Sequence, residues 1–153
     1  MPKIDIAKTK KRVGSRYPAP FDQPCAKRER RVLGDAAGLS DFGVNLMTLP
    51  PGTWSSQRHW HDKEDEFVFV VSGEVVLVTD KGESVLKAGD CAGFKKGKRD
   101  GHQLINKSRK PAVVLEVGTR SKDDATVYSD IDMMYVPGKG YVRRDGTRYR
   151  KRG

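Results

Sequence analysis

Short stretches of β-branched and aromatic residues alternate with tight polar breaks along most of this chain. Residues of this kind favour β-strands, whose side chains point to alternate faces. We predict eight strands, at residues 44–49, 56–61, 66–71, 75–79, 84–87, 91–94, 103–106 and 112–117. Breaks such as Pro50-Pro51-Gly52 separate them at the close spacing of an all-β sandwich or barrel. No segment carries a sustained helical period, and only a helical turn is expected, at residues 35–39.

The charge is distributed unevenly along the chain. The 153 residues have a formal net charge of +10, of which residues 1–31 carry +7, residues 138–153 carry +6 and the middle carries −3. We therefore predict one β-barrel domain at residues 32–137, with a basic, extended N-terminal arm before it and a basic C-terminal tail after it. A nucleic-acid-binding domain would be basic on its folded face, so nucleic acid is not an expected partner.

Cysteine content and the length of apolar runs indicate the cellular compartment. Cys25 and Cys91 are the two cysteines of the chain, which is a poor basis for a disulfide framework. No apolar run approaches membrane-spanning length, and the basic N-terminus is not followed by the apolar stretch of a secretion signal. We therefore expect reduced thiols, a cytoplasmic location and no association with a membrane.

All three histidines of the chain belong to one candidate metal site. His59 and His61 lie two residues apart, which places both rings on one face of a strand, and Glu66 and His102 follow later. Three imidazoles and one carboxylate suit Zn, Fe, Mn, Ni or Co better than Ca or Mg, which prefer oxygen ligands. These four ligands would leave two positions open on an octahedral ion, where a substrate could bind.

Two further residues are candidates for binding a substrate. Gln57 shares the predicted strand face of His59, and Asn106 shares the face of His102. Either amide could donate a hydrogen bond to a substrate, although Asn106 is equally well explained as a turn residue at the end of a strand. A basic loop at residues 95–99 would favour an anionic small molecule if it lay at the mouth of the barrel. No residue is identified as the catalytic base.

The spacing of these residues resembles the two sequence motifs of the cupin family. The first motif stands as Gly52, His59-Trp60-His61, Glu66 and Gly73, with one residue more than usual before His59. The second stands as Gly89, Lys95-Lys96-Gly97, His102 and Asn106, with Lys95 in place of a proline and two extra residues before His102. The resemblance covers residues 44–118. It implies a jelly roll, also described as a double-stranded β-helix barrel, and one divalent transition metal ion held by the three histidines and Glu66.

Four further stretches make the chain similar to small bacterial single-domain cupins, some of which are named as sugar-phosphate isomerases. These are Leu33-Gly34-Asp35, residues 54–59, Gly101-His102 and residues 115–120. The resemblance implies a metal-dependent enzyme that acts on a small polar metabolite. We also expect a homodimer, in which the extended N-terminal residues pack on the partner or swap across to it. The expected chemistry is isomerisation of a sugar or sugar phosphate or, with iron, a dioxygenase reaction. The alternative is a non-catalytic module that binds or senses a small ligand.

Overall fold

The computed structural model describes residues 2–150 and consists mainly of antiparallel strands. Two 3-10 helices span Ile6–Lys8 and Gln23–Cys25, and one short α-helix, α1, spans Leu33–Ala36. None of the helices in residues 2–150 combines the length and apolar character that crossing a membrane requires. The strands are β1 (Lys11–Val13), β2 (Glu29–Val32), β3 (Phe42–Leu49), β4 (His59–His61), β5 (Glu66–Ser72), β6 (Glu74–Thr79), β7 (Gly82–Lys87), β8 (Cys91–Phe94), β9 (Gln103–Ile105), β10 (Ala112–Thr119), β11 (Thr126–Tyr128), β12 (Met134–Val136) and β13 (Gly140–Val142).

Three sheets surround the interior of the protein. The largest has the strand order β1-β2-β3-β10-β5-β8, the second β13-β12-β11-β4 and the third β7-β6-β9. The main core contains side chains from both the first and the third sheet, so these two sheets pack against each other. Its buried members are Met47, Leu49, Val68, Val70, Val75, Leu104, Ala112 and Val114. The all-β prediction is confirmed by this architecture.

The predicted strands agree with the structure in the central region, with one clear exception. Of residues 56–61, only His59–His61 form a strand, because residues 55–58 are a series of bends. The N-terminal segment holds these bends in place. The side-chain amide of Gln57 donates to the carbonyl of Phe21 at 2.8 Å, and its backbone N–H donates to the hydroxyl of Tyr17 at 3.3 Å. The predicted strand face shared by Gln57 and His59 therefore does not form.

The side chains of β5 alternate between the two faces of the strand. Glu66, Val68 and Val70 face inwards, and the two valines are buried. Phe67 and Phe69 alternate with them and are 41% and 37% exposed. This alternation follows from the period of two in a strand, and it places the Glu66 carboxylate inside the barrel.

The ends of the chain add strands to the sheets. β1 pairs with β2 and β2 with β3, so the N-terminal segment extends the largest sheet. At the other end β12 and β13 extend the second sheet, in which β13 is an edge strand. The predicted boundaries at residues 31/32 and 137/138 stay a prediction, and the tail residues 151–153 lie outside the described residues.

Gly73 joins β5 to β6 in a backbone conformation that only glycine adopts without strain. Its φ is +75°, and a Cβ atom there would lie 2.7 Å from the carbonyl oxygen of Pro111 and 2.9 Å from Cα of Ala112. We expect Gly73→Ala to lower the free energy of unfolding by about 2–5 kcal/mol, from left-handed strain and backbone overlap together. Gly52→Ala is the matched control, since Gly52 has φ +77° and a Cβ atom there would lie more than 4 Å from any atom beyond its chain neighbours. Urea denaturation should show a larger loss for Gly73→Ala; equal losses would contradict the overlap.

Candidate metal centre

The structure brings the four predicted metal ligands together on one wall of a cavity. His59 and His61 lie on β4, Glu66 begins β5, and His102 directly precedes β9. His59 and His102 are adjacent because each donates its backbone N–H to the carbonyl of the other, at 3.1 and 2.9 Å. All four side chains line the same cavity of about 400 Å³. The closed arrangement of strands thus makes neighbours of residues that are far apart in sequence.

The Nε2 atoms of the three imidazole rings converge on the carboxylate of Glu66. His102 Nε2 lies 2.5 Å from Oε2, His61 Nε2 lies 3.1 Å from Oε1, and His59 Nε2 lies 3.6 Å from Oε2. Ligand atoms of His59, His61 and Glu66 all lie within 4.8 Å of one another. Despite these short distances, Oε2 is buried without a well-aligned hydrogen-bond donor among residues 2–150. Close, poorly aligned contacts of this kind suit ligands that share a cation.

The outer ring nitrogens of two histidines face hydrogen-bond acceptors. His59 Nδ1 lies 2.8 Å from the carbonyl of Gln57, and His61 Nδ1 lies 2.7 Å from Oδ2 of Asp124. An acceptor at Nδ1 favours the tautomer that is protonated there, which leaves the lone pair of Nε2 directed at Glu66. Lone pairs of two imidazoles and a carboxylate repel one another unless a cation lies between them. The donor set and its orientation therefore fit a divalent transition metal ion.

Charges within the site favour an ionised Glu66. Burial raises the pKa of Glu66, but the close contacts with the rings of His102, His59 and His61 outweigh it and hold this pKa well below its usual value. Burial also lowers the pKa of His61, whereas the carboxylates of Glu66 and Asp124 more than compensate and raise it to about 9. Glu66 is therefore a carboxylate at neutral pH. A proton on His61 must leave when a metal binds, so metal binding competes with protons here.

Aromatic rings enclose the ligands. Phe94 lies opposite Glu66 in the pairing of β8 with β5, and its ring stacks on His102 with a centroid distance of 3.6 Å and an interplanar angle of 2°. The ring of Tyr128 lies 5.9 Å from that of His59. His102 Nδ1 is buried without a hydrogen-bond partner among residues 2–150, so this ring is oriented by stacking on Phe94 and by the contact of its Nε2 with Glu66.

The structure does not bring Gln57 or Asn106 into this cavity. The Gln57 amide donates to the carbonyl of Phe21. Asn106 is fully buried, and its Nδ2 donates to the carbonyls of Leu49 and Lys110 at 2.7 and 2.8 Å. Neither side chain is among the described residues that line the cavity with the metal ligands. Both amides hold chain segments together, which for Asn106 agrees with the turn interpretation.

Three polar residues of the site were not identified from the sequence. Asp124 precedes β11 and contacts a histidine 63 positions earlier, which no local pattern indicates. Arg28 and Arg30 line the cavity but were counted in the sequence only among the charges of the basic N-terminal arm. Residues 28–31 are all charged, so alternation along the strand does not single out Arg28 and Arg30.

Asp124 holds the ring of His61 and should therefore control metal affinity. We expect Asp124→Asn to weaken metal binding by about 10–100-fold, because the amide is a poorer acceptor for the Nδ1 proton. Competition with a chelator of known affinity, followed by elemental analysis, measures this. Asp123→Asn is the matched control, since Asp123 is the exposed neighbouring residue. Equal metal affinities of the two variants would contradict the positioning role of Asp124.

Comparison with known proteins gives one sequence-family match and several similar structures. The family model of the cupin domain matches residues 45–118. A sugar phosphate isomerase from a cupin superfamily, from Silicibacter pomeroyi, is 45% identical, with a TM-score of 0.93 and 97% of each chain covered. A candidate sugar phosphate isomerase from Acidithiobacillus ferrooxidans is 28% identical, with a TM-score of 0.73 and 83% of each chain covered. A polyketide cyclase from Streptomyces resistomycificus is 16% identical and shares the fold, with a TM-score of 0.63 over 78% of this chain and 79% of the other. No curated protein sequence matches this chain.

Proposed function

The chain belongs to the cupin superfamily, and on that basis we propose that it is a metal-dependent isomerase of a small sugar phosphate. Membership also confirms the predicted cupin-type jelly roll. The observation that carries the proposal is the convergence of three histidine Nε2 atoms on the carboxylate of Glu66 inside a cavity. The substrate class is supported by the name of the Silicibacter pomeroyi protein, of which this chain covers 97% at 45% identity.

His59, His61, Glu66 and His102 would hold the metal. A divalent transition metal at this position supplies a Lewis acid that polarises an oxygen of the substrate. The ligand set accepts Zn, Fe, Mn, Ni or Co, so it does not select one of them. The other residues prepare the site: Asp124 holds the ring of His61, and the ring of Phe94 covers His102 and keeps water from it.

The cavity suits a small and charged metabolite. Its volume of about 400 Å³ lies within the range of small-molecule sites. Its lining combines acidic side chains with guanidinium groups: Asp35, Glu64, Glu66 and Glu116, and Arg12, Arg28, Arg30 and Arg120. A sugar phosphate has oxygens for a metal ion and a negative charge for guanidinium groups, so it suits a cavity that contains both.

Metal analysis and turnover assays test the proposal together. The protein is purified without added metal, its bound ion is identified by elemental analysis, and aldose–ketose interconversion of sugar phosphates is followed by proton NMR in D₂O. Stoichiometric metal with turnover supports the proposal. Iron with oxygen uptake and no isomerisation would indicate a dioxygenase instead, and metal with neither activity would indicate a ligand-binding or sensor module. Absence of bound metal, even after incubation with each candidate ion, would contradict the metal site itself.

The homodimer and the cytoplasmic location stay predictions. A dimer is supported by the outward-facing side chains of Phe67 and Phe69 on β5, which form part of an exposed apolar face. Light scattering is expected to give twice the chain mass of 17.1 kDa. A mass of one chain at micromolar concentration would contradict the dimer.

A further inference from the structure

Three arginines share one face of the β1–β2 pair. Arg12 on β1 is the direct cross-strand partner of Arg30 on β2, and Arg28 lies two residues before Arg30. Direct cross-strand partners share a face of the sheet, and Arg28, just before β2, lines the same two cavities as Arg12 and Arg30. This group of three residues is termed the arginine wall.

The positive charge of the arginine wall is only partly compensated. Glu116 accepts hydrogen bonds from Nε and Nη2 of Arg30, at 2.6 and 3.0 Å. No carboxylate of residues 2–150 lies within 4.0 Å of the guanidinium of Arg12 or Arg28. Three guanidinium charges and one carboxylate leave a net charge of about +2. Like charges directly opposite each other on antiparallel strands are destabilising, so this arrangement has a cost in the absence of an anion.

Arg28 is the least typical member of the wall. Arg28 is only 7% exposed, and its Nε has no hydrogen-bond partner among residues 2–150. Its Nη atoms donate to the carbonyls of Ser55 and Gly14, at 2.5 and 2.6 Å. These carbonyls fix the guanidinium but carry no full negative charge, so a buried cation remains without a counter-ion. Burial and the neighbouring Arg30 lower the pKa of Arg28 accordingly.

The arginine wall connects the metal site to a second cavity. It lines both the cavity of about 400 Å³ that holds the metal ligands and a neighbouring one of about 540 Å³. The charged residues that line the second cavity are all basic: Lys10, Arg12, Arg16, Arg28 and Arg30. The link to the metal ligands is short, because Arg28 contacts the carbonyl of Ser55 and the hydroxyl of the next residue, Ser56, lies 3.3 Å from His59 Nδ1.

We propose that the arginine wall binds the phosphoryl group of the substrate, with Arg12 and Arg30 as direct contacts and Arg28 as a buried charge behind them. The placement of the other end of the substrate at the metal ligands rests on the proposed function. A phosphate monoester carries a charge of about −1.5 to −2 at pH 7 and three acceptor oxygens, which matches the uncompensated charge of the wall. The guanidinium of Arg12 can bind two such oxygens as a pair. Nε and Nη2 of Arg30 already donate to Glu116, which leaves Nη1 of Arg30 for the phosphoryl group. A carboxylate offers only one charge and two oxygens.

Inorganic phosphate is the probe that tests the arginine wall directly. Isothermal titration calorimetry of the full chain, at fixed ionic strength, is expected to show that Arg12→Ala weakens phosphate binding about tenfold or more. Arg12 is exposed and its side chain makes no hydrogen bond within residues 2–150, so this variant should fold, as circular dichroism can verify. Arg109→Ala is the control for charge, since Arg109 is exposed and lines neither cavity; its phosphate affinity should stay within about twofold of the wild type.

Parallel measurements separate this proposal from the proposed function. Phosphate binding that survives in metal-depleted His61→Ala but falls in Arg12→Ala supports the arginine wall, whatever the metal content of the wild type. Phosphate binding that is lost in His61→Ala and kept in Arg12→Ala would place phosphate at the metal and overturn the wall. Acetate that binds as tightly as phosphate would overturn the phosphoryl assignment. If Arg12→Ala and Arg109→Ala weakened phosphate binding equally, the effect would come from net charge alone, and the arginine wall would also be overturned as a phosphate site.

Discussion

His61→Ala is expected to retain less than about a tenth of the wild-type metal content when it is purified in the same way. The substitution removes one of four ligand atoms and breaks the contact of Nε2 with Glu66 at 3.1 Å. It also leaves the buried Asp124 without the ring that its carboxylate contacts at 2.7 Å. Elemental analysis of the purified variant measures the effect. Unchanged metal content would remove His61 from the site.

Asp62→Ala is the matched control for this experiment. Asp62 is the next residue, its side chain is exposed, and its backbone N–H still donates to the carbonyl of Ala125 in the variant. Its metal content should equal that of the wild type. Circular dichroism and thermal melts of both variants show whether metal loss in His61→Ala is separate from unfolding.

A second group of possible ligands shares His61, and the same experiment can exclude it. Ligand atoms of His61, Glu64 and Asp124 also lie within 4.8 Å of one another. A metal held by this outer group would survive His102→Ala, because His102 contacts Glu66 and not Asp124. Loss of metal in both His61→Ala and His102→Ala assigns it to the inner set. Loss in His61→Ala alone would assign it to the outer group.

Features that depend on local periodicity were predictable from the sequence. His59 and His61 are two residues apart, and the alternation along β5 places Glu66, Val68 and Val70 on one face of the strand. A period of two is a property of any strand, so no knowledge of tertiary contacts was needed. The turn at Gly73 was also marked in the sequence, and its positive φ explains why glycine stands there.

Features that depend on pairing between distant strands were not predictable. The role of Arg30 follows from its position opposite Arg12 and from the approach of Glu116, 86 positions later. Gln57 was misplaced for a similar reason, since its partner is the carbonyl of Phe21 in the N-terminal segment. Single-sequence patterns contain the period of each strand but not the register between strands, and register decides these contacts.

Glu116→Gln is expected to lower the free energy of unfolding by about 2–4 kcal/mol, which is close to the cost of breaking a buried ion pair. The side chains of Arg30 and Glu116 are 24% and 21% exposed, so the loss should fall short of that for full burial. The neutral amide would leave three uncompensated guanidinium groups on the arginine wall. Urea denaturation in phosphate-free buffer measures the effect.

Glu83→Gln is the control for the effect of burial on an ion pair. It breaks the exposed pair of Glu83 with Lys107, whose charged atoms lie 2.7 Å apart. The side chains of this pair are about half exposed, at 54% and 48%, so water screens it and the loss should stay below about 1 kcal/mol. Adding phosphate should restore more stability to Glu116→Gln than it adds to the wild type, because an anion binds the folded state and replaces the missing charge. Glu83→Gln should gain no more from phosphate than the wild type does. Two results would contradict a stabilising role of Glu116 in neutralising the arginine wall. One is an equal loss of unfolding free energy in Glu116→Gln and Glu83→Gln, and the other is an equal gain of stability from phosphate in both.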